Sequence, residues 1–175
     1  MNSTLAPAPQ QATETGRHAA EPQQDLRPLI GECPLLALAL AAATDVATQL
    51  PVWRSPLMNH SDARVLLTLL TYSYAAGVYA SEDIEANCYD DPATRYLAGN
   101  MGYRAAVLRA FRRANRPWIE LALADVLARA AGAQPSPGAD SPLAASQSNL
   151  SPSTWLRAAQ QRVQTAVLFD LELTD

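Results

Sequence analysis

Residues 60–116, which read HSDARVLLTLLTYSYAAGVYASEDIEANCYDDPATRYLAGNMGYRAAVLRAFRRANR, decide the fold of this chain. Within them, the run from Val65 to Tyr74 places leucine, valine and tyrosine around almost the whole circumference of a predicted helix. A helix that is apolar on all sides is normally buried. We therefore expect a central helix over about residues 62–76, with Ser61 as its N-cap and Gly77 just past its end.

Short helices follow this central one. Their starts and stops are predicted, in chain order, by Ser81 as a cap, Asp91 and Pro92 as a second start, Gly99 as an end, Pro117 as an end or sharp turn, and Gly132 as the final stop. The segment 103–116 is expected to be one of these helices. No segment alternates polar and apolar residues with the period of a strand. The predicted fold class is therefore all-α, a compact domain of several helices.

The flanking segments differ from this region in composition. The first residues are rich in Pro, Gln, Ala and Thr and carry little that could be buried, so their ordering entropy is not offset. A later Pro- and Ser-rich segment has the composition of a flexible linker. The last segment has an apolar stripe at helical spacing, which predicts docking onto the body: Trp155, Leu156, Ala159, Val163, Ala166 and Val167. The predicted organisation is a disordered tail over 1–32, a helical domain over 33–131, a linker over 132–152 and a C-terminal helix within 153–175.

Charge and hydropathy argue against three classes of protein. The formal net charge is −4, so the chain as a whole is not a nucleic-acid polycation. The N-terminus has no basic region followed by an apolar core, as a signal peptide would. No apolar run approaches the ~20 residues that span a bilayer. We therefore expect a cytoplasmic protein without a membrane segment.

Positive charge is concentrated late in the central region. On a helical wheel, four arginines of the predicted 103–116 helix fall on an arc of roughly 100°, opposite an apolar face. The planar guanidinium fork is suited to phosphate. The candidate DNA-contacting residues are therefore these four, together with the arginine just before them: Arg104, Arg109, Arg112, Arg113 and Arg116. The alternative is a solvated helix face whose arginines form local ion pairs with Glu82, Asp83 or Glu85.

The sequence does not support catalytic or metal chemistry. The clustered acids Glu82, Asp83, Glu85, Asp90 and Asp91 suit helix caps and partners of the helix dipole better than metal ligands. Neither histidine has a second ligand at metal-binding spacing. The phosphate-loop, dinucleotide and nucleophile-elbow motifs are not found. We therefore expect no catalytic residue, no bound metal and no cofactor.

The order of motifs over about residues 60–130 resembles the N-terminal helical domain of bacterial insertion-sequence transposases of the Asp-Asp-Glu type. The shared motifs are a Leu-rich helix that ends in a tyrosine and glycine run (72–77), a Ser-led helix with an acid and a cysteine (81–88), an aromatic, Leu and Gly element (95–99), and Phe-Arg-Arg (111–113). One departure from the family lies between the last two motifs. There the sequence NMGYRAAV replaces the polar segment that is usual in the family.

The resemblance implies a function in mobile elements. Members of that family continue into a catalytic domain with a metal-binding triad, but no strand-rich segment follows the resembling region here. The chain is thus expected to be a stand-alone, catalytically inactive domain. Its implied partners are duplex DNA at transposon ends or a catalytic transposase chain supplied in trans. The alternative is a protein-interaction or structural relic without DNA affinity, which self-associates through its C-terminal helix.

Overall fold

A computed structural model describes residues 33–49, 60–133 and 151–172. Every regular element within these ranges is a helix, so the all-α prediction is confirmed. The helices are α1 (Pro34–Gln49), α2 (His60–Ala76), α3 (Ser81–Asp90), α4 (Pro92–Leu97), α5 (Ala105–Ala133) and α6 (Pro152–Glu172). The predicted disordered tail over 1–32 and residues 134–150 of the predicted linker lie outside the described residues. No helix in the described part is long and apolar enough to cross a membrane.

Helix α2 lies at the centre of the core, as its composition predicts. Its large apolar side chains are completely buried: Leu66, Leu67, Leu69, Leu70 and Tyr74. The polar residues between them, Thr68, Thr71 and Ser73, are also buried, whereas Arg64 in the first turns of the helix is exposed. Thr68 fits this setting because its hydroxyl donates a hydrogen bond to the carbonyl of Arg64 (2.8 Å). The helix begins at His60, so Ser61 lies in its first turn and not before it.

The helices α1, α5 and α6 supply the remainder of the core. Helix α1 buries one narrow face, made of Ala39, Ala42, Ala43 and Val46, while Leu40 is 37% exposed. It therefore makes fewer core contacts than its leucine content suggests. Helix α6 contributes Ala159, Val163 and Ala166 to the same apolar cluster as the leucines of α2. Its apolar stripe thus packs on the body, as the sequence predicts.

Glycine ends two of the helices where the sequence places it. Gly77 has a φ of +87° and Gly99 a φ of +64°, which is the left-handed region that glycine adopts without a steric penalty. After α2, the N–H of Gly77 donates to the carbonyl of Tyr74, and the N–H of Val78 donates to that of Ser73 (2.8 Å). This pair of bonds is a Schellman motif, which satisfies carbonyls that the helix leaves free.

Helix α5 consists of two helical segments that meet at a kink just before Pro117. Asn115 leaves helical geometry, with φ −125° and ψ 19°. Proline has no N–H to donate to the carbonyl four residues earlier, and its ring crowds that carbonyl. The side-chain amide of Asn115 donates to the carbonyl of Phe111 (3.0 Å). The end or sharp turn predicted at Pro117 is therefore present as a kink between two helical segments.

The burial of α2 gives a stability prediction. Replacing Leu66 or Leu70 by alanine leaves a cavity in a fully buried site, and should cost about 2–5 kcal/mol of unfolding free energy. The matched control is Leu121→Ala, since Leu121 is 44% exposed. Urea denaturation at one pH measures all three variants. A core variant that is no less stable than the control would contradict the central position of α2.

Candidate functional site

A buried polar cluster connects four helices. It consists of Tyr74 in α2, Ser81 at the start of α3, Arg112 in α5 and Asp170 in α6. Their exposures are 0%, 0%, 4% and 5%, although two of them carry charge. Charged side chains are almost never this buried unless they are paired. We call these four residues the polar cluster.

Asp170 is the acceptor at the centre of the polar cluster. Its Oδ1 accepts the backbone N–H of Ser81 (2.9 Å), and its Oδ2 accepts the hydroxyl of the same serine (2.7 Å). The Nη2 of Arg112 donates to the same Oδ2, and Nη1 of Arg112 donates to the hydroxyl of Tyr74 (3.1 Å). A guanidinium and a carboxylate are thus held together away from water.

The same carboxylate satisfies the first turn of α3. The residue at the N-cap position is Ala80, which has no side-chain acceptor. The prediction that Ser81 is the N-cap is wrong, because Ser81 is the first helical residue and its hydroxyl donates to Asp170. An anion at a helix N-terminus interacts favourably with the free N–H groups and the helix dipole. Asp170, which is 89 residues away in sequence, therefore supplies the hydrogen-bond acceptor that the residues next to the start of α3 lack.

The electrostatics of the polar cluster favour a fixed ion pair. Burial alone would raise the pKa of Asp170, but the N–H and hydroxyl of Ser81 and the guanidinium of Arg112 outweigh it and lower the pKa below its ordinary value. Burial raises the pKa of Tyr74, so its hydroxyl stays protonated at neutral pH. Burial opposes the charge of Arg112, yet the contacts with Tyr74 and Asp170 raise its pKa on balance. No group in the cluster changes protonation near neutral pH, which suits a structural role.

The expectation that Arg112 points outward with the other arginines is wrong. Arg112 lies four residues after the buried Leu108, so both occupy one face of α5. The positions of the apolar residues on the helical wheel indicate one covered face of α5, whereas α6 packs on a second face of the same helix. A sequence signal for this was present in α6. Asp170 continues the spacing of Ala159, Val163 and Ala166, so an acid occupies a core position that requires a partner.

The other candidate arginines differ in whether an acidic side chain is already paired with the guanidinium group. Arg109 forms an ion pair with Glu82, as the solvated-face alternative anticipates. Arg116 is paired with Glu120 at 2.7 Å, one turn along α5. Arg104 and Arg113 are exposed and form no ion pair with any residue that the structure describes. DNA contact by these residues stays a prediction.

Two of the five clustered acids, Asp91 and Glu85, accept hydrogen bonds at the starts of helices. The Oδ2 of Asp91 accepts the N–H of Thr94 (2.7 Å), which makes Asp91 the N-cap of α4 as predicted. Glu85 accepts the N–H of Ala105 (2.7 Å) and so satisfies the start of α5. In the described ranges, no group of three acids, histidines or cysteines is placed to hold a metal ion.

Among the clefts on the surface of the described residues, two are candidate binding sites. The first, of about 360 Å³, lies between the α2–α3 connection and the last turns of α6, and Tyr79, Asp83, Asn87 and Phe169 line it. We call it the α3–α6 cleft. The second, of about 570 Å³, is an apolar groove between α5 and the start of α6 that includes Trp155. Each is large enough for a ligand or a partner side chain.

Comparison with known proteins identifies no relative of this chain. No protein-family model, no curated protein and no solved structure matches it. The resemblance to transposase N-terminal domains therefore rests on the motifs of the sequence alone, and it remains a prediction.

The polar cluster yields a test of its role. Asp170→Asn leaves the charge of Arg112 buried without its counter-ion, which should cost about 3–5 kcal/mol at pH 7. The control, Glu82→Gln, breaks a partly exposed pair and should cost no more than about 1 kcal/mol. The folded-state pKa of Asp170 is lowered, so its stabilising effect is present above the unfolded value of about 4. The effect is lost as the pH falls through the folded pKa, and the difference between wild type and Asp170→Asn should shrink accordingly.

Denaturant titrations at several pH values measure these differences. If Asp170→Asn and Glu82→Gln lower the unfolding free energy equally at pH 7, the ion pair does not stabilise the fold. The same conclusion follows if the difference in unfolding free energy between wild type and Asp170→Asn does not become smaller as the pH is lowered.

Proposed function

We propose that this chain is a non-catalytic protein-interaction module that binds a second copy of itself through the outward face of α6. The observation that carries the proposal is the exposure of Leu168 (51%) and Leu171 (60%) on the last turns of that helix. They are three residues apart and therefore adjacent on the helix surface. Clustered apolar side chains on a surface mark interaction sites more often than isolated ones do.

The remainder of this face is suited to pairing with itself. Between the leucines and the start of α6, the outward positions hold the uncharged Gln161 and Gln164. Exposed Arg157 lies near one end of the helix and exposed Glu172 at the other. In a two-fold arrangement with antiparallel helices that places each Arg157 opposite Glu172 of the second copy, Leu168 lies opposite Gln161 and Leu171 lies beside the aliphatic stem of Arg157. Like charges are thus kept apart and opposite charges are brought together.

Duplex DNA is the second candidate partner, in keeping with the resemblance to transposase N-terminal domains. Arg104 and Arg113 support it, because both are exposed and neither is in an ion pair with a described residue. For Arg109 and Arg116, contact with phosphate would require their pairs with Glu82 and Glu120 to break. The candidate arginines therefore offer fewer unpaired guanidinium groups to phosphate than the sequence suggests. The same limit applies if this chain is recruited to a catalytic transposase chain that is bound to DNA. Self-association is for this reason placed first.

Self-association is tested by sedimentation velocity on the full chain. We expect a reversible dimer, with a dissociation constant on the order of 100 μM or tighter. Leu168→Gln with Leu171→Gln should make the protein monomeric, since it removes the apolar side chains that pack on the stems of Gln161 and Arg157 of the second copy. The matched control, Leu40→Gln with Leu121→Gln, changes two leucines that are exposed elsewhere. Arg157→Glu should weaken the dimer, and the added change Glu172→Arg should restore it. A monomeric wild type at several times that concentration would overturn the proposal.

DNA binding is tested by fluorescence anisotropy on a short duplex across a salt series. Each neutralised phosphate contributes about −0.9 to the slope of log affinity against log salt. If Arg104 and Arg113 are contacts, replacing both by glutamine should reduce the magnitude of the slope by about 1.8. Arg157→Gln is the control for net charge, because it lies on α6. The absence of salt-sensitive binding in the unchanged protein at low salt would exclude this candidate.

A further inference from the structure

The α3–α6 cleft has the features of a site for one charged side chain. Small residues open it, namely Gly77, Ala80 and Ala86. One wall is aromatic, because the rings of Tyr79 and Phe169 stack with their centroids 6.1 Å apart. Asp83 and Asn87 also line the cleft, and they are one helical turn apart and therefore on the same face of α3.

The charge in the cleft is negative and unneutralised. Helix α3 carries four acids and no basic residue. Glu82 is paired with Arg109, and Glu85 accepts the N–H of Ala105. Asp83 lines the cleft and forms no ion pair with any residue in the described ranges. Asp90 is likewise without an ion pair in these ranges but does not line the cleft, so the carboxylate available to a ligand in the cleft is that of Asp83.

This arrangement restricts what can fill the cleft. An anion would be repelled by Asp83. A purely apolar side chain would remove the carboxylate from water without giving it a partner, which is unfavourable. A cation avoids both costs, and it is also attracted to the faces of aromatic rings. Among cationic side chains, the planar guanidinium stacks on aromatic rings while its N–H groups remain free to bond carboxylate and amide oxygens.

We propose that the α3–α6 cleft binds an arginine side chain from a protein segment whose neighbouring residues are apolar. The guanidinium would stack on Phe169, since the ring of Tyr79 already stacks with those of Tyr74 and Phe169, and it would donate hydrogen bonds to Asp83 and Asn87. The apolar neighbours would cover Val78 and the exposed part of Phe169, which is 45% exposed. This inference goes beyond the proposed self-association and uses neither Leu168 nor Leu171.

The test uses two tripeptides and the ¹⁵N-labelled full chain. The first peptide is acetylated and amidated Leu-Arg-Leu. The second replaces its arginine by citrulline, which has nearly the same shape and no charge. Titration followed by amide chemical shifts should move the signals of Gly77, Ala80 and Asn87 with the arginine peptide, with a dissociation constant on the order of 1 mM. The citrulline peptide should bind at least about tenfold more weakly, because only the cation partners Asp83.

Variants locate the binding and separate it from dimer formation. Asp83→Asn should weaken binding of the arginine peptide about fivefold or more, as expected for loss of a charge-assisted hydrogen bond. Glu82→Gln is the matched control, since Glu82 is adjacent but does not line the cleft. The Leu168→Gln, Leu171→Gln protein should bind the peptide unchanged. Equal binding of the two peptides, equal effects of Asp83→Asn and Glu82→Gln, or no shifts at the cleft at several millimolar peptide would each overturn the proposal.

Discussion

The buried ion pair between Arg112 and Asp170 is the constraint on which the arrangement of the helices depends. Both charged groups are buried away from water. Burying a charge is unfavourable unless the group has both a partner of opposite charge and hydrogen bonds. Asp170 meets this condition through three donated bonds, two from Ser81 and one from Arg112. Helix α6 therefore cannot separate from the body without leaving an unpaired charge in the core. Apolar stripes tolerate small shifts along a helix, whereas this pair fixes the register of α6.

Several helix ends depend on helices distant in sequence. The first turn of α3 bonds Asp170 of α6, and the first turn of α5 bonds Glu85 of α3. At the end of α2, Arg162 of α6 donates to the carbonyls of Tyr74 and Ala75 (2.8 and 2.9 Å). Such groups would otherwise need water or local caps. Because α6 satisfies backbone groups at the ends of α2 and α3, and α3 does so for α5, these four helices should gain stability together rather than one at a time.

The internal use of charge changes the functional interpretation of the arginine-rich segment. Arginine is suited to phosphate sites and to buried ion pairs for the same reason, namely the rigid fork of N–H donors in its guanidinium group. Composition cannot separate the two uses. In this molecule Arg112 holds the core, and Arg109 and Arg116 bond acids of the same surface. Arg104 and Arg113 remain outward, together with the exposed leucines of α6 and the acidic α3–α6 cleft, and the last two are the basis of the proposed protein contacts.

The sequence by itself determined the helical class, the burial of α2, and the ends of helices that are set locally. Gly77, Gly99 and the Asp91–Pro92 start depend on backbone conformation and on bonds within a few residues, so their effect is visible in the sequence. The side of α5 that Arg112 occupies, the partner of Asp170 and the cap of α3 depend on contacts between residues 58 or 89 positions apart. Only the tertiary structure decided these, because a helical wheel shows which residues share a face and not how many neighbours cover it.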